Sequence, residues 1–257
     1  MKIIFLGTNG WYATQTGNTV SVLINTPKRY IVFDAGDGLH RLDKYATEDK
    51  PVDIFLSHFH LDHTIGLHIQ PKFSFKNKMR IFGQPGTKKT LSILVNNPFT
   101  APYSILEKRG LHVTIHELCE GENKIDEYKI IAAPLIHADP CWGFRLEISD
   151  VSKKKKIISY CTDTGPCENL IKLSKNADVL ITECSLLPTD ELTPSWPHMN
   201  PHAAANAAKE AGVKKLLLSH FAAHKYTSTK LRLAAQETAQ KIFANTIAAS
   251  DEFELNV

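Results

Sequence analysis

Thirteen residues, "LSHFHLDHTIGLH" at 56–68, hold four histidines and an aspartate, the densest set of metal-ligating side chains in the chain. They follow "VDIFL", a short apolar run that reads as a buried strand, so the cluster falls on the loop at a strand's C-terminal end, where sheets tend to place their sites. His58 and His60 alternate with Phe59, which lets both imidazoles converge while the ring turns to the core. Asp62 and His63 come after a further bend and face a second point. Two imidazoles at one point, and a carboxylate with an imidazole at the other, make two half-sites for metal. Nitrogen and oxygen donors without thiolate suit zinc, with manganese and iron as alternatives. His68 falls five positions after His63 in the apolar "IGLHI", which places it on a following helix away from the metals.

Four ligands do not complete two sites, and other strand ends offer more: His137 in "APLIHADPCWGF", Asp163 in "SYCTDTGP" and His220 in "LLLSHF". An aspartate between two cations can bridge them, one oxygen to each, and Asp163, after a strand and before a Gly-Pro helix opening, is the natural bridge. The loop around His137 offers Asp139 as an alternative. Asp34 in "FDAGDG" is better suited to tying the metal loop by hydrogen bonds than to binding an ion.

The elements that must position these groups are legible as short β-branched runs bounded by Gly, Pro, Asn and Asp: "KIIFLG", "TVSVLI", "YIVFDAG", "VDIFLS", "MRIFG", "LHVTIHEL", "YKIIAA", "GFRLEI", "KIISYCTD", "DVLITE" and "KKLLLSH". Helical patterns fall between them at 87–97, 166–175, 201–211 and 228–244. The mixed order predicts sheets flanked by helices. The helix at 201–211 is the best marked, with Asn200 as N-cap, Pro201 at its first position and Gly212 just past its end. Ala204, Ala208 and Ala211 give it a thin stripe that packs closely on a sheet. No repeat or linker divides the chain, so one domain over 1–257 is the expectation.

The ordered set, H-x-H-x-D-H at 58–63, His137 before "GFRLE", "TDTGP" around Asp163 and "LSHF" around His220, resembles the metallo-β-lactamase superfamily. The opening "FLGTNGWYATQTGNTVSVLI" and "FDAGDG" resemble it as well, so the likeness spans nearly the whole chain. It implies an α/β fold, a four-layer αββα sandwich of mixed sheets, with two divalent metal ions at one edge. By position, His58, His60 and His137 would hold one ion, Asp62, His63 and His220 the other, and Asp163 would bridge. An aspartate at 163 argues against β-lactamases of the commonest type, which use cysteine there. His60 argues against flavodiiron proteins, which carry glutamate. The short stretch after His220 argues against glyoxalase II proteins, which add a helical domain.

Within the superfamily the chain is most similar to ribonuclease Z and its short-form phosphodiesterase relatives. Those proteins carry a histidine before an Ala-rich helix and a glutamate after the preceding strand, and His198 and Glu183 stand in these places. Glu183 would orient His198 to assist a phosphate leaving oxygen, and Asp62 would orient the attacking water. Two departures stand out. "HMN" replaces the usual His-Ser-Thr, and "EISDVSKKKKIISYC" leaves space only for a tight hairpin where ribonuclease Z inserts a long tRNA-clamping arm. The expected activity is therefore hydrolysis of a small or cyclic phosphodiester. The alternatives are tRNA 3′ processing without the arm, a lactone, ester or sulfate hydrolase on the same site, and a non-catalytic metal- or RNA-binding scaffold.

Composition sets limits on partners. Thirty basic and 27 acidic residues leave a net charge of +3 spread along the chain, so neither a membrane surface nor a long nucleic acid is required. The lysines at 153–156 read as a solvated hairpin tip rather than an RNA-contacting patch. Five cysteines, Cys119, Cys141, Cys161, Cys167 and Cys184, form no C-x-x-C pair and read as small core residues in a reducing compartment. No apolar run is long enough for a signal peptide or a membrane span, which predicts a cytoplasmic protein. Relatives of the resembled type suggest a homodimer. "GTNGWYATQTGN" and "NNPFTAPYS" are the expected pocket loops, with Trp11, Tyr12 and Tyr103 as candidate stacking surfaces. His40, His112, His116, His202 and His224 fall outside the pattern and are assigned to surface or packing.

Overall fold

A computed structural model describes residues 1–73, 75, 78–149 and 154–257. The first half of the chain supplies β1 (Lys2–Gly7), β2 (Asn9–Gly10), β3 (Ser21–Asn25), β4 (Tyr30–Phe33), α1 (Leu42–Tyr45), β5 (Val52–Phe55), α2 (Leu61–Thr64), β6 (Met79–Gly83), α3 (Thr87–Leu94), α4 (Tyr103–Lys108) and β7 (Val113–Glu117). The second half supplies β8 (Gly121–Ile125), β9 (Tyr128–Pro134), β10 (Trp142–Ser149), β11 (Lys155–Cys161), α5 (Glu168–Ser174), β12 (Val179–Glu183), α6 (Pro201–Ala211), β13 (Leu216–Ser219), β14 (Phe221–Ala222), α7 (Thr229–Gln240), β15 (Thr246–Ala248) and β16 (Glu254–Asn256).

Two mixed sheets result, ordered β16-β1-β3-β4-β5-β6-β7 and β15-β13-β12-β11-β10-β9-β8. Their central strands, β3, β4, β5, β12 and β13, are buried on both faces because both faces are covered. Ile3 and Phe5 of β1, Ile31 and Phe33 of β4, Phe144 of β10 and Ile181 of β12 meet in a core between the sheets. The intervening Ile4, Leu6, Val32 and Ile54 pack outward under Leu39, Leu42, Leu67 and Leu91. On the other side Leu180, Leu216 and Leu218 pack under Leu170 of α5, Ala204, Ala208 and Ala211 of α6 and Ala235 of α7. The layers are helix, sheet, sheet, helix, as the sequence predicts. Continuous apolar runs of this kind belong to strands buried on two sides.

Each predicted strand forms. Helix α6 has its expected bounds, with Asn200 Oδ1 accepting the Ala203 N–H at 2.9 Å and Gly212 in the left-handed region at φ 65°. The other three helices are shorter than their patterns, at Thr87–Leu94, Glu168–Ser174 and Thr229–Gln240. β10 and β11 are antiparallel neighbours with Ser149 opposite Lys155. The predicted hairpin tip at 153–156 lies partly outside the described residues. Lys155, inside β11, pairs with Glu147 at 2.8 Å, which fits a solvated ion pair.

Strand direction gathers the chemistry. β4 and β5 run parallel, as do β11, β12 and β13, so Asp34, the 58–63 loop, Asp163, Glu183 and His220 all leave strands at C-terminal ends. The Ser57 carbonyl accepts the Trp142 N–H at 2.9 Å and ties the two sheets together at that edge. β2 and β14 form a small parallel ribbon that brings Gly10 against His220. A Cβ on Gly10 would lie 2.4 Å from the His220 ring, so only glycine permits this approach.

Candidate metal centre

All seven predicted ligands meet at this edge. Two groups each have donor atoms within 4.8 Å of one another: His58, His60, His137 and Asp163, then Asp62, His63 and His220. Asp163 Oδ2 lies 3.5 Å from His58 Nε2, 3.5 Å from His63 Nε2 and 3.8 Å from His137 Nε2, while its Oδ1 lies 2.9 Å from His220 Nε2. One carboxylate thus faces both groups. Asp62 Oδ2 approaches His220 Nε2 at 3.3 Å and accepts the Trp11 N–H at 2.7 Å.

The backbone bends to achieve this. Asp34, Asp163 and His220 have φ of 57°, 55° and 48°, the left-handed region that non-glycine residues rarely occupy. Such conformations collect where a site overrides local preference. Asp34 performs the tethering role read from the sequence. Its Oδ1 accepts the Ser57 N–H at 2.8 Å, and its Oδ2 accepts the Ser57 and Tyr160 hydroxyls at 2.8 and 2.7 Å and sits 2.8 Å from His63 Nδ1.

Asp139 does not join the first group in place of His137. Its Oδ2 lies 2.8 Å from His60 Nε2, leaving His60 Nδ1 to face His137 Nε2 at 3.4 Å. A carboxylate on the far nitrogen fixes the tautomer and raises the basicity of the near one. His68 is exposed on a 3-10 segment, Ile65–Lys72, outside both groups.

His198 lines the same cleft. Its Nδ1 lies 2.9 and 3.0 Å from the two oxygens of the buried Glu183, which leaves Nε2 as its free nitrogen. Glu183 is itself fixed by the N–H groups of Thr164 and Met199, at 2.5 and 3.2 Å. Burial opposes protonation of His198, but Glu183 outweighs it and raises the pKa above the ordinary histidine value.

The charge balance of the cluster shows what it would accept. Burial disfavours protonated His63 and His220, yet Asp163 and its neighbouring carboxylates outweigh it; His63 is driven well above its usual range and His220 to about 10. His58, desolvated and beside His63, is pushed the other way, and its Nε2 is buried without a hydrogen-bond partner. His63 Nε2 faces His220 Nε2 at 3.1 Å. Imidazole nitrogens crowded against one another beside two carboxylates, Asp62 and Asp163, hold an excess of negative charge that divalent cations would take up in place of protons.

The cleft over these groups has a volume of about 980 Å³. Trp11 lines it, as expected, but Tyr103 and the 96–104 loop do not. Tyr103 packs instead beside the outer core of the first sheet. The missing wall comes from Leu186, Asp190, Glu191, Thr193 and Trp196, and His224 stands at the rim rather than in packing alone. The core reading of the cysteines holds for Cys141, Cys161 and Cys184; Cys119 is exposed and Cys167 half-buried, and all five are free thiols. Among the described residues no helix is long and apolar enough to cross a membrane.

Two facing mixed sheets, outer helices and a His/Asp cluster at one sheet edge define the metallo-β-lactamase fold. The chain belongs to the beta-lactamase superfamily, whose domain model matches residues 29–221. Ribonuclease Z of Methanosarcina mazei is 27% identical over 318 aligned positions, covering 100% of this chain and 98% of that protein. Since this chain has 257 residues, at least 61 of those positions (318 less 257) have no counterpart in it. The metallo-beta-lactamase fold protein YhfI from Bacillus subtilis superposes with a TM-score of 0.78 at 22% identity, covering 99% of each chain. Human tRNase Z, short form, superposes with a TM-score of 0.73 at 21% identity, covering 100% of this chain and 99% of the other. The fold family implies divalent metal ions, and the donor set described above fits them.

Proposed function

We propose that this hydrolase-family chain is a phosphodiesterase with a dinuclear centre, acting on a small phosphodiester, linear or cyclic. His58, His60 and His137 would hold one ion, Asp62, His63 and His220 the other, with Asp163 shared. Zinc suits the donors, with manganese and iron as alternatives. Ions bound there supply Lewis-acid activation of water and offset phosphate charge.

The chain's own residues direct the reaction. Asp62, fixed by the Trp11 N–H, orients the attacking water. His198, held by Glu183 through Nδ1, presents Nε2 to the cleft and donates a proton to the departing oxygen. The His198–Glu183 pair is the observation that carries the phosphodiester reading, because an alkoxide leaving group needs a proton donor opposite the attacking water. A preparation that binds divalent metal yet turns over no phosphodiester, activated aryl esters included, overturns it. His198→Ala should lower kcat by about 10²- to 10⁴-fold for an alkyl-leaving diester and far less for a p-nitrophenyl one. An equal loss on both, or none on either, contradicts the assignment.

A second reading, RNA processing, is favoured by relatives named ribonuclease Z and tRNase Z. The five residues between Ser149 of β10 and Lys155 of β11 and the unmatched positions of the aligned relative count against a clamp for a long RNA.

A further inference from the structure

Two of the three tryptophans are spent on solvent, and both stand at the mouth of this cleft. Trp11 is 67% exposed and Trp196 56%, whereas Trp142, in the inter-sheet core, is 9% exposed. Scattered exposed apolar residues need no explanation, but large rings gathered at one cleft mark binding.

Neither ring is explained by the fold. Trp11 has φ 76°, the left-handed region where glycine or asparagine is favoured over a bulky side chain. The duty of that position in the site is its backbone N–H to Asp62, which any residue but proline supplies. The ring stands edge-on to His224, 5.3 Å between centroids, at an angle of 87°. Trp196 lies on the irregular segment between β12 and α6, edge-on to His198 at 5.8 Å and near His137 at 6.2 Å.

Their positions relative to the ligand groups differ. Trp11 donates its backbone N–H to Asp62, in one group, and the Trp196 ring centroid lies 6.2 Å from that of His137, in the other. Each tryptophan is thus associated with a different ligand group, and Asp163 is the carboxylate that the two groups share. A phosphodiester has two arms, and a phosphorus held at the centre sends one arm toward each ring. Among the described residues that line the cleft, the one lysine, Lys225, is paired with Asp190 at 2.5 Å, and Glu191 lines the same wall, which disfavours further phosphates.

Resting on the phosphodiesterase reading, we propose that Trp11 and Trp196 form two stacking subsites, one per arm. The site then selects a linear diester with a planar ring on each side, a dinucleotide-type linkage, over a cyclic mononucleotide. Base stacking on an aromatic side chain contributes about ten-fold in affinity or more per base.

The test compares zinc-loaded wild type with Trp196→Ala, Trp11→Ala and the two phenylalanine variants. Diadenosine 3′,5′-monophosphate, 3′,5′-cyclic adenosine monophosphate and a longer oligoadenylate are the probes, read by tryptophan fluorescence quenching and by kcat/KM. Zinc content and melting temperature show that each variant is folded. The expected result is saturable quenching by the dinucleotide, a loss of about ten-fold in its kcat/KM in each alanine variant, substantial retention in the phenylalanine variants, and a smaller kcat/KM for the cyclic compound. Dinucleotide turnover within two-fold of wild type in both alanine variants, or preference for the cyclic compound, overturns the proposal. So does an oligoadenylate that binds far more tightly than the dinucleotide, because it shows contacts beyond two nucleosides. If no diester is turned over but the dinucleotide quenches and each alanine variant weakens it, the subsites stand and the hydrolytic reading falls.

Discussion

At the start of β5, Asp53 is fully buried between the sheets. It meets Arg29 at 3.2 Å, Arg80 at 2.7 and 2.9 Å, and the Tyr128 hydroxyl at 2.6 Å. At the other end of the same strand, His58 and His63 of the 58–63 loop are buried beside Asp34, Asp163 and His220. Both clusters join the two sheets, and both are rich in charge. The first satisfies its carboxylate with guanidinium and hydroxyl donors from within the chain. In the second, ring nitrogens face ring nitrogens, and His58 Nε2 has no hydrogen-bond partner. Buried polar groups are paired when their role is structural. The contrast teaches that β5 carries a closed ion cluster at one end and an open one, shaped for cations, at the other.

Substitutions at the two ends should therefore fail in different ways. The largest effect is expected at Asp163: its replacement by alanine removes the carboxylate shared by both groups, so at least one metal equivalent and nearly all metal-dependent turnover should be lost. Metal content by elemental analysis checks this, and full retention of metal would remove Asp163 from the centre. At the closed end, Asp53→Ala removes the buried carboxylate shared by Arg29, Arg80 and Tyr128, leaving the two guanidinium groups only the more exposed Asp126 and Glu127, and should cost about 3 kcal/mol of stability in urea denaturation, with metal content unchanged. A loss of metal instead of stability would erase the distinction between the ends. Asp139→Asn should act most mildly, weakening metal affinity about 10- to 100-fold through His60 while leaving the melting temperature of the metal-free protein unaltered.

The open end was more legible in sequence than its surroundings. H-x-H-x-D-H is local, and strand direction alone decides that His137, Asp163 and His220 join it. Helix α6 was marked at both ends by residues with one conformational purpose, Asn200, Pro201 and Gly212. β8 was missed because "GENKI" has little apolar character; it is an edge strand that buries only alternate residues against β9. β15 and β16 are three residues each, too short for a period to register. The cleft wall from Leu186 to Trp196 has no periodicity and no ligand spacing, so nothing local announced it. Tyr103 failed as a stacking surface for the opposite reason: an aromatic in a Pro- and Asn-rich stretch looks available, but α4 turns it toward the outer core.

The central claim is a two-metal hydrolytic site, and zinc titration of the metal-free protein, with turnover of bis(p-nitrophenyl) phosphate followed at each addition, tests it most directly. Activity should rise with bound zinc and level off at two equivalents per chain. A plateau at one equivalent, or turnover that persists with no metal bound, would contradict it.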